Sequence, residues 1–168
     1  MMICENGCFS GYASVFGEPD QGGDVVMPGA FKQSLDKPGR GDVRLLFQHD
    51  PKEPIGRILQ VREDQTGLIV KGQLFGQVPR AKALIALVSG KGINGLSIGF
   101  RTLKARRDKR TGFRHLSQID LWEISIVTFP MMERARIFPI SASSDTPVRQ
   151  NRSPHETIGA AISLLSNH

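Results

Sequence analysis

The pattern of apolar and polar positions predicts mainly strands in the first third of the chain. Phe9 to Phe16 (FSGYASVF) has the composition of a first strand, and a loop rich in Gly, Asp and Pro follows from Gly17 to Gly29. A short helix fits Ala30 to Leu35. Val43 to His49 is an apolar, β-rich run that stops at Asp50-Pro51, so it predicts a further strand with a histidine at its end.

The middle of the chain predicts two paired strands and one helix. Pro54 to Arg62 and Leu68 to Phe75 flank a turn signal from Asp64 to Gly67, which indicates an antiparallel pair in a meander of strands. Pro79 to Val88 begins with a proline at a position that helices tolerate and carries Ala and Leu throughout. This stretch therefore predicts a helix.

A long hairpin is predicted farther along, from one run that begins at Gly95 and another from Phe113 to Phe129. Alternation with a period of two places Ser97 on one face of the first strand and its apolar neighbours on the other. The same alternation puts Glu123 and Ser125 on one face of the second strand.

Length and composition indicate one domain followed by a tail of different character. A chain of 168 residues can build a single domain with a sizeable core. We expect this domain to cover residues 1–140. The stretch from Ser141 to Ser153 is poor in apolar residues and resembles a linker, after which Pro154 to Leu165 fits one short amphipathic helix.

Targeting and metal signals do not change this picture. No apolar run approaches the roughly 18 to 20 residues that cross a bilayer, and the first seven residues lack the features of a signal peptide, so a soluble cytosolic protein is expected. Cys4 and Cys8 are the two cysteines, and they lack the second pair of ligands that a zinc site needs. We therefore expect two reduced thiols and neither a metal nor an organic cofactor.

Positive charge is concentrated in one segment. The net charge is +6, and the basic residues cluster between Arg101 and Arg114 around the turn signal Thr111-Gly112. A solvated hairpin tip explains this cluster, and a docking patch for a partner is the alternative. Nucleic acid is not an expected partner, because aromatic side chains that would stack on bases are not interleaved with the basic ones.

One short motif suggests nucleophilic chemistry. Gly95, Ser97 and Gly99 form a G-x-S-x-G pattern, but the hydrolase elbow that uses this pattern needs a helix after the serine, and here a strand continues. Ser97 is then either a small polar residue in a glycine-rich strand or a nucleophile of another architecture. In the second case the two glycines would let backbone N–H groups form an oxyanion hole, and Arg101 could add positive charge through a water.

A serine nucleophile requires a base and a group that orients the base. His49 is the candidate base, although a histidine at a strand end is often structural. Glu123 is the first candidate for the orienting carboxylate, with Asp120 and Asp50 behind it, because a glutamate in a buried strand usually has a partner.

Six stretches in this order resemble the prohead maturation proteases of tailed bacteriophages, which are distant relatives in fold of the herpesvirus assemblins. Together they cover most of residues 9–138. The stretches are Gly11 to Asp20 with Gly22 to Phe31, Leu45 to Asp50 with Pro54 to Arg57, Gly95 to Phe100, and Trp122 to Pro130.

This resemblance implies an α+β fold, a mostly antiparallel and assemblin-like β-barrel with a few flanking helices. It also implies that Ser97 is the nucleophile and His49 the general base of a serine endopeptidase. Glu123 lies where the family places an acidic residue. Assemblins use a second histidine as the orienting group, so His115 is an alternative third member beside Asp120.

The resemblance further implies a role in capsid maturation in the host cytoplasm, inside the immature capsid. Such proteases cleave a scaffold protein or the scaffolding segment of the major capsid protein, and then often themselves. The tail from residue 141 to residue 168 would be accessible to self-cleavage. A homodimer is a hypothesis from the assemblins, and a non-catalytic capsid-assembly module is the alternative function.

Overall fold

Strands dominate the computed structural model, which describes residues 2–4, 6–36 and 42–139. Strands and helices alternate irregularly, as expected for an α+β fold with few helices. In chain order the elements are β1 (Cys8–Val15), β2 (Asp24–Val26), α1 (Lys32–Leu35), β3 (Arg44–Phe47), β4 (Asp50–Glu63), β5 (Gly67–Leu74), α2 (Pro79–Ser89), β6 (Gly95–Arg107) and β7 (Arg114–Val127).

These strands form one curled sheet in which β7 is the central element. Neighbouring strands follow the order β1-β5-β4-β3-β7-β2, and β6 also pairs with β7. The pairs that β2 and β3 make with β7 are parallel, whereas the other strand pairs are antiparallel. The sheet is therefore mixed, which corrects the simpler antiparallel meander that the turn signals suggested.

A short segment bridges the gap between β1 and β6. Leu96 donates its N–H to Ala135 O at 2.9 Å, and Tyr12 donates its N–H to Arg136 O at 3.1 Å. Gly11 permits this approach, because a Cβ atom at that position would lie 2.3 Å from Arg136 O. The curled sheet thus approaches a barrel whose two edges are joined by the segment after β7.

The core lies inside this curl. Ile124 and Ile126 of β7 are completely buried, as is Leu96 of β6, which pairs with Ile126. Burial of side chains of this size contributes about 1.5–3 kcal/mol each. The opposite face of the same strands carries Ser97, Glu123 and Ser125, so the sheet's alternation separates its packing face from its polar face.

The first strand and helix α2 are confirmed within one residue, and the β4–β5 and β6–β7 hairpins are also confirmed, although β4 begins at Asp50, four residues before the predicted Pro54. Three other details differ. The region from Gly17 to Gly29 contains β2, α1 begins at Lys32 rather than Ala30, and the strand predicted to reach His49 ends at Phe47. The predicted linker and C-terminal helix of the tail lie outside the described residues. Neither of the two described helices has the length and hydropathy of a membrane-spanning segment.

Candidate active site

A two-residue turn presents His49 to the sheet. Gln48 and His49 connect β3 to β4, and Phe47 and Asp50 pair on either side of them. Their φ angles are 53° and 61°, the signs that a type I′ hairpin requires and that Asn-Gly normally supplies. For residues with a side chain this conformation costs roughly 1–2 kcal/mol each, so contacts elsewhere must hold the turn.

Those contacts come from β7 and the residue after it. Gln48 donates its backbone N–H to Ile126 O at 3.1 Å. Its side-chain Nε2 donates to Thr128 Oγ1 at 2.6 Å, and Thr128 N–H donates back to Gln48 Oε1 at 3.3 Å. The turn is therefore fastened along the end of β7, and His49 lies against that strand.

His49 forms a hydrogen-bonded network with two side chains of β7. Its Nδ1 lies 2.6 Å from Glu123 Oε1. Ser125 donates its hydroxyl to the other carboxylate oxygen, Oε2, at 2.7 Å and accepts the backbone N–H of His49 at 3.0 Å. Glu123 and Ser125 are both buried, and the network satisfies both oxygens of a carboxylate that water could not solvate.

The Glu123 carboxylate sets the tautomer and the basicity of His49. A carboxylate accepts hydrogen bonds, so Nδ1 carries the proton that faces it and Nε2 keeps a lone pair in the neutral ring. The hydrogen bond to Glu123 raises the pKa of His49 above its usual 6.5, burial opposes this shift, and the negative charge of Glu123 adds to it. The ring is half-exposed, with 42% of its side-chain surface accessible, so Nε2 belongs to a group that solvent and a substrate can reach.

This shift in pKa also fixes the sign of the pH dependence. Because the pKa of His49 is higher in the folded protein than in the unfolded chain, the pair stabilises the fold fully below about pH 6.5. That stabilisation is lost as the pH rises through the higher folded-state pKa. The neutral ring that can act as a base appears over the same pH interval.

Two glycines of β6, Gly95 and Gly99, allow neighbouring atoms to approach the strand more closely than a side chain would permit. Gly99 pairs with Glu123, and a Cβ atom on Gly99 would lie 2.0 Å from Glu123 Oε1. A Cβ atom on Gly95 would lie 2.6 Å from Val127 O and 2.9 Å from Pro130 Cδ. Both glycines therefore have a steric role, which the motif alone did not reveal, while their predicted part in an oxyanion hole stays a prediction.

Ser97 lies between these glycines and directly opposite Ser125 in the β6–β7 register. Side chains opposite each other in an antiparallel pair have Cβ atoms about 4.5–5.5 Å apart, so Ser97 is one strand away from the residue that holds His49. Within the described residues, no hydrogen bond engages the Ser97 hydroxyl. Ser97 is among the residues that line a cavity of about 60 Å³. His49 and Glu123 are not among those lining residues.

The other candidate residues lie elsewhere. Arg101 pairs with Asp120 at 3.4 Å, and both line a separate cleft of about 860 Å³ beside α1. Asp120 also accepts a hydrogen bond from the Trp122 indole at 3.1 Å. His115 pairs with Arg106 near the far end of β7, eight residues and roughly 26 Å from Glu123 along the strand.

Asp50, the remaining carboxylate considered, is exposed and caps its own turn by accepting the N–H of Lys52 at 2.8 Å. The described residues contain no group of three or more His, Cys, Asp or Glu side chains arranged to hold a metal ion. Because Glu123 faces Nδ1 of His49, Nε2 of the neutral ring keeps a lone pair that can accept a proton from a hydroxyl.

Ser125 is the member of the network that the sequence did not identify. Its place on the same strand face as Glu123 was predicted, but nothing local connects it to His49, which is 76 residues away in sequence. The connection depends on the parallel pairing of β3 with β7, which brings Leu46 opposite Ser125. A long-range pairing of this kind leaves no signal in the spacing of residues.

Comparison with known proteins gives consistent matches. A family model described as caudovirus prohead serine protease matches residues 3–150. The prohead protease of Enterobacteria phage HK97 is 38% identical over 135 residues, which cover 79% of this chain and 60% of that protein. The prohead protease of Escherichia phage T5 is 29% identical over 122 residues, which cover 71% of this chain and 56% of that protein. The chain thus spans less than two thirds of the length of either relative.

Solved structures share the fold at low sequence identity. The bacteriophage T4 capsid assembly protease has a TM-score of 0.55 and 12% identity, with 73% of this chain and 82% of that chain covered. The KSHV protease in complex with a hexapeptide phosphonate inhibitor has a TM-score of 0.52 and 11% identity, with 77% and 63% covered. The predicted likeness to the assemblin fold is therefore confirmed at the level of architecture.

Proposed function

Because the chain belongs to the caudovirus prohead serine protease family, we propose that it is a serine endopeptidase with Ser97, His49 and Glu123 as its catalytic residues. The observation that carries this proposal is the 2.6 Å hydrogen bond from His49 to a buried Glu123, one strand away from the Ser97 hydroxyl. A base held in one tautomer beside a hydroxyl is what covalent acyl transfer requires.

In the proposed mechanism, Ser97 Oγ attacks the carbonyl carbon of the scissile peptide bond while His49 Nε2 takes its proton. Glu123 keeps the proton on Nδ1 and stabilises the imidazolium that forms. His49 then gives its proton to the leaving amine, and an acyl-enzyme remains on Ser97. A water molecule, deprotonated by His49, attacks this ester and releases the second product.

Backbone N–H groups between Gly95 and Gly99 are proposed to stabilise the negative charge on the substrate oxygen, except that of Leu96, which donates to Ala135 O. Such donors typically contribute about 10²- to 10³-fold each. Arg101 is the weaker candidate for this role, since its guanidinium pairs with Asp120 in the other cleft. For the same reason Asp120 is less suited than Glu123 to orient His49, and the distance of His115 along β7 disfavours it as well.

The names of the similar proteins supply the proposed setting. We propose that the substrate is a scaffold protein or the scaffolding segment of the major capsid protein. Cleavage would take place inside the immature capsid in the host cytoplasm. This chain's own residues after 140 are a second proposed substrate.

Co-expression with the cognate major capsid protein tests this function. The wild type and Ser97→Ala would be compared by intact mass spectrometry of both proteins, with Ser117→Ala as the matched control at an exposed position of β7. We expect truncated capsid protein with the wild type and the control but not with Ser97→Ala. Truncation by a folded Ser97→Ala protein would contradict the proposed nucleophile, and co-assembly of full-length proteins in all samples would favour the non-catalytic assembly module.

A further inference from the structure

Ser125 closes a ring of hydrogen bonds that begins and ends at His49. The backbone N–H of His49 donates to Ser125 Oγ, Ser125 donates to Glu123 Oε2, and Glu123 Oε1 faces Nδ1 of the same histidine. The directions are fixed, because an N–H group can only donate and an ionised carboxylate can only accept. One hydroxyl therefore fixes both the backbone of the base and the group that orients its ring.

Glu123 packs over Gly99 of β6, in the space that a side chain at position 99 would fill. Gly99 has no side chain to confine the carboxylate, and it is the absent Cβ atom there that makes room for Glu123. A glutamate side chain has three rotatable bonds, so one contact through Oε1 would leave the carboxylate free to rotate. The hydrogen bond from Ser125 to Oε2 removes that freedom.

His49 needs its contact with Ser125 for a different reason. Its φ of 61° lies in a region that is costly for residues with a side chain. Its N–H points to a side chain of β7, so the hydroxyl of Ser125 anchors the turn where the ring is attached. The separation between His49 and Glu123 is thus set by a third residue that contacts both.

Ser125 is not suited to be the nucleophile itself. It is completely buried, and its hydroxyl both donates and accepts a hydrogen bond within the ring. Ser97, its direct neighbour across the strands, lines a cavity. Ser125 can therefore act on the reaction only through the two residues that it holds.

We propose that Ser125 is a positioning residue that sets the geometry of the His49–Glu123 pair relative to Ser97. This inference rests on the proposed endopeptidase function for its effect on rate, but its effect on His49 does not depend on any activity. Misplacement of a catalytic group by about 1 Å costs on the order of 10²-fold in rate, and the loss of the hydroxyl is expected to act through such a displacement.

The test compares Ser125→Ala with a control that loses a similar bond elsewhere. Ser34 is also buried, and its hydroxyl accepts the backbone N–H of Leu121 at 2.9 Å, so Ser34→Ala removes the same kind of hydrogen bond away from His49. Ser125→Cys is the second variant, because it keeps the side-chain shape, at a somewhat larger volume, and offers only a weak donor. The substrate is a peptide that spans a cleavage site identified by the co-expression masses.

Two measurements separate positioning from general stability. We expect kcat to fall by about 10- to 100-fold in Ser125→Ala and Ser125→Cys with little change in KM, whereas Ser34→Ala should retain the wild-type kcat. In an NMR titration of the His49 ring, the midpoint should move down in both Ser125 variants, because Glu123 no longer holds the hydrogen bond to Nδ1 that raises it.

Each contrary result has a distinct meaning. A folded Ser125→Ala or Ser125→Cys protein with the wild-type kcat and an unchanged His49 titration would overturn the inference. An equal loss of kcat in Ser34→Ala would also overturn it, because the effect would then be one of stability. If the wild type cleaves nothing, the endopeptidase and the rate effect are both refuted, while an unchanged His49 titration would independently refute the geometric claim.

Discussion

Gly99→Ala is the substitution that tests the geometry of the site most simply. The added Cβ atom would lie 2.0 Å from Glu123 Oε1 and 2.8 Å from its Cδ and Cγ atoms. Ordinary contact requires at least 3.4 Å, so the carboxylate oxygen must retreat by about 1.4 Å. A displacement of that size exceeds the tolerance of the 2.6 Å hydrogen bond to His49, since such bonds are made at about 2.7–3.2 Å and weaken beyond that range.

We expect the variant to fold. Gly99 has no positive φ that alanine would strain, and the atoms it meets belong to one side chain rather than to backbone. Replacing glycine by alanine at a compatible position gains about 0.4–1 kcal/mol through the unfolded chain, which offsets part of the steric cost. The expected result is a melting temperature near that of the wild type and a loss of about 10²- to 10⁴-fold in kcat/KM, the usual contribution of a positioned base.

The assay is cleavage of the same site-spanning peptide, with thermal unfolding followed by circular dichroism. Gly76→Ala is the matched control, because a Cβ atom there would be 3.9 Å from Ile85 Cδ1, which is ordinary contact. If folded Gly99→Ala cleaves at the wild-type rate, the reasoning that links Gly99, Glu123 and His49 is refuted.

Three further predictions follow from the contacts of single side chains. Glu123→Gln leaves only a weaker, neutral acceptor for the His49 Nδ1–H and removes the negative charge, and both changes lower the pKa of His49. The midpoint at which cleavage increases with pH should therefore move down from its wild-type position, as a pH–rate profile would show; an unchanged midpoint would contradict this. Thr128→Val deletes the hydroxyl that accepts the hydrogen bond from Gln48 Nε2, so the free energy of unfolding measured by chemical denaturation should fall by about 0.5–1.5 kcal/mol. Cleavage should also be slower than in the control Ser117→Ala, which changes an exposed residue. Ile124→Ala leaves a cavity in the core, so the free energy of unfolding should fall by about 2–5 kcal/mol. A loss below about 1 kcal/mol would show that the core around residue 124 closes over the cavity or is not tightly packed.

The sequence predicts the parts of the fold whose signals are local. The β4–β5 turn, the helix after Pro79 and the long hairpin around Thr111-Gly112 each have a periodic run next to a turn or cap signal, and these elements are present. The strand β2 has three residues in a stretch rich in Gly, Asp and Pro, and it exists through parallel pairing with β7. Its stability comes from the partner strand, so its own composition does not show it.

The residues of the candidate site likewise fall into those that the sequence identifies and those that depend on contacts between distant segments. Ser97, His49 and Glu123 could be selected because each has a residue type and a neighbourhood that suit acyl transfer. The turn at Gln48–His49 lacks the glycine or asparagine that usually marks positive φ, and it is held by Thr128, 80 residues away. The roles of Ser125 and Gly99 also depend on contacts between strands, which no single segment of the sequence encodes.

The most direct test of the account is covalent capture of the nucleophile by a fluorophosphonate, in which a Ser97 Oγ–P bond forms and fluoride leaves as His49 takes the proton. The purified wild type, His49→Ala and Ser97→Ala would be treated at pH 8 and analysed by peptide mass spectrometry. The account predicts one adduct, on Ser97, that forms at least about 10²-fold more slowly in His49→Ala and is missing in Ser97→Ala. An adduct that forms equally fast without His49, or no adduct on Ser97 in the folded wild type, would contradict it.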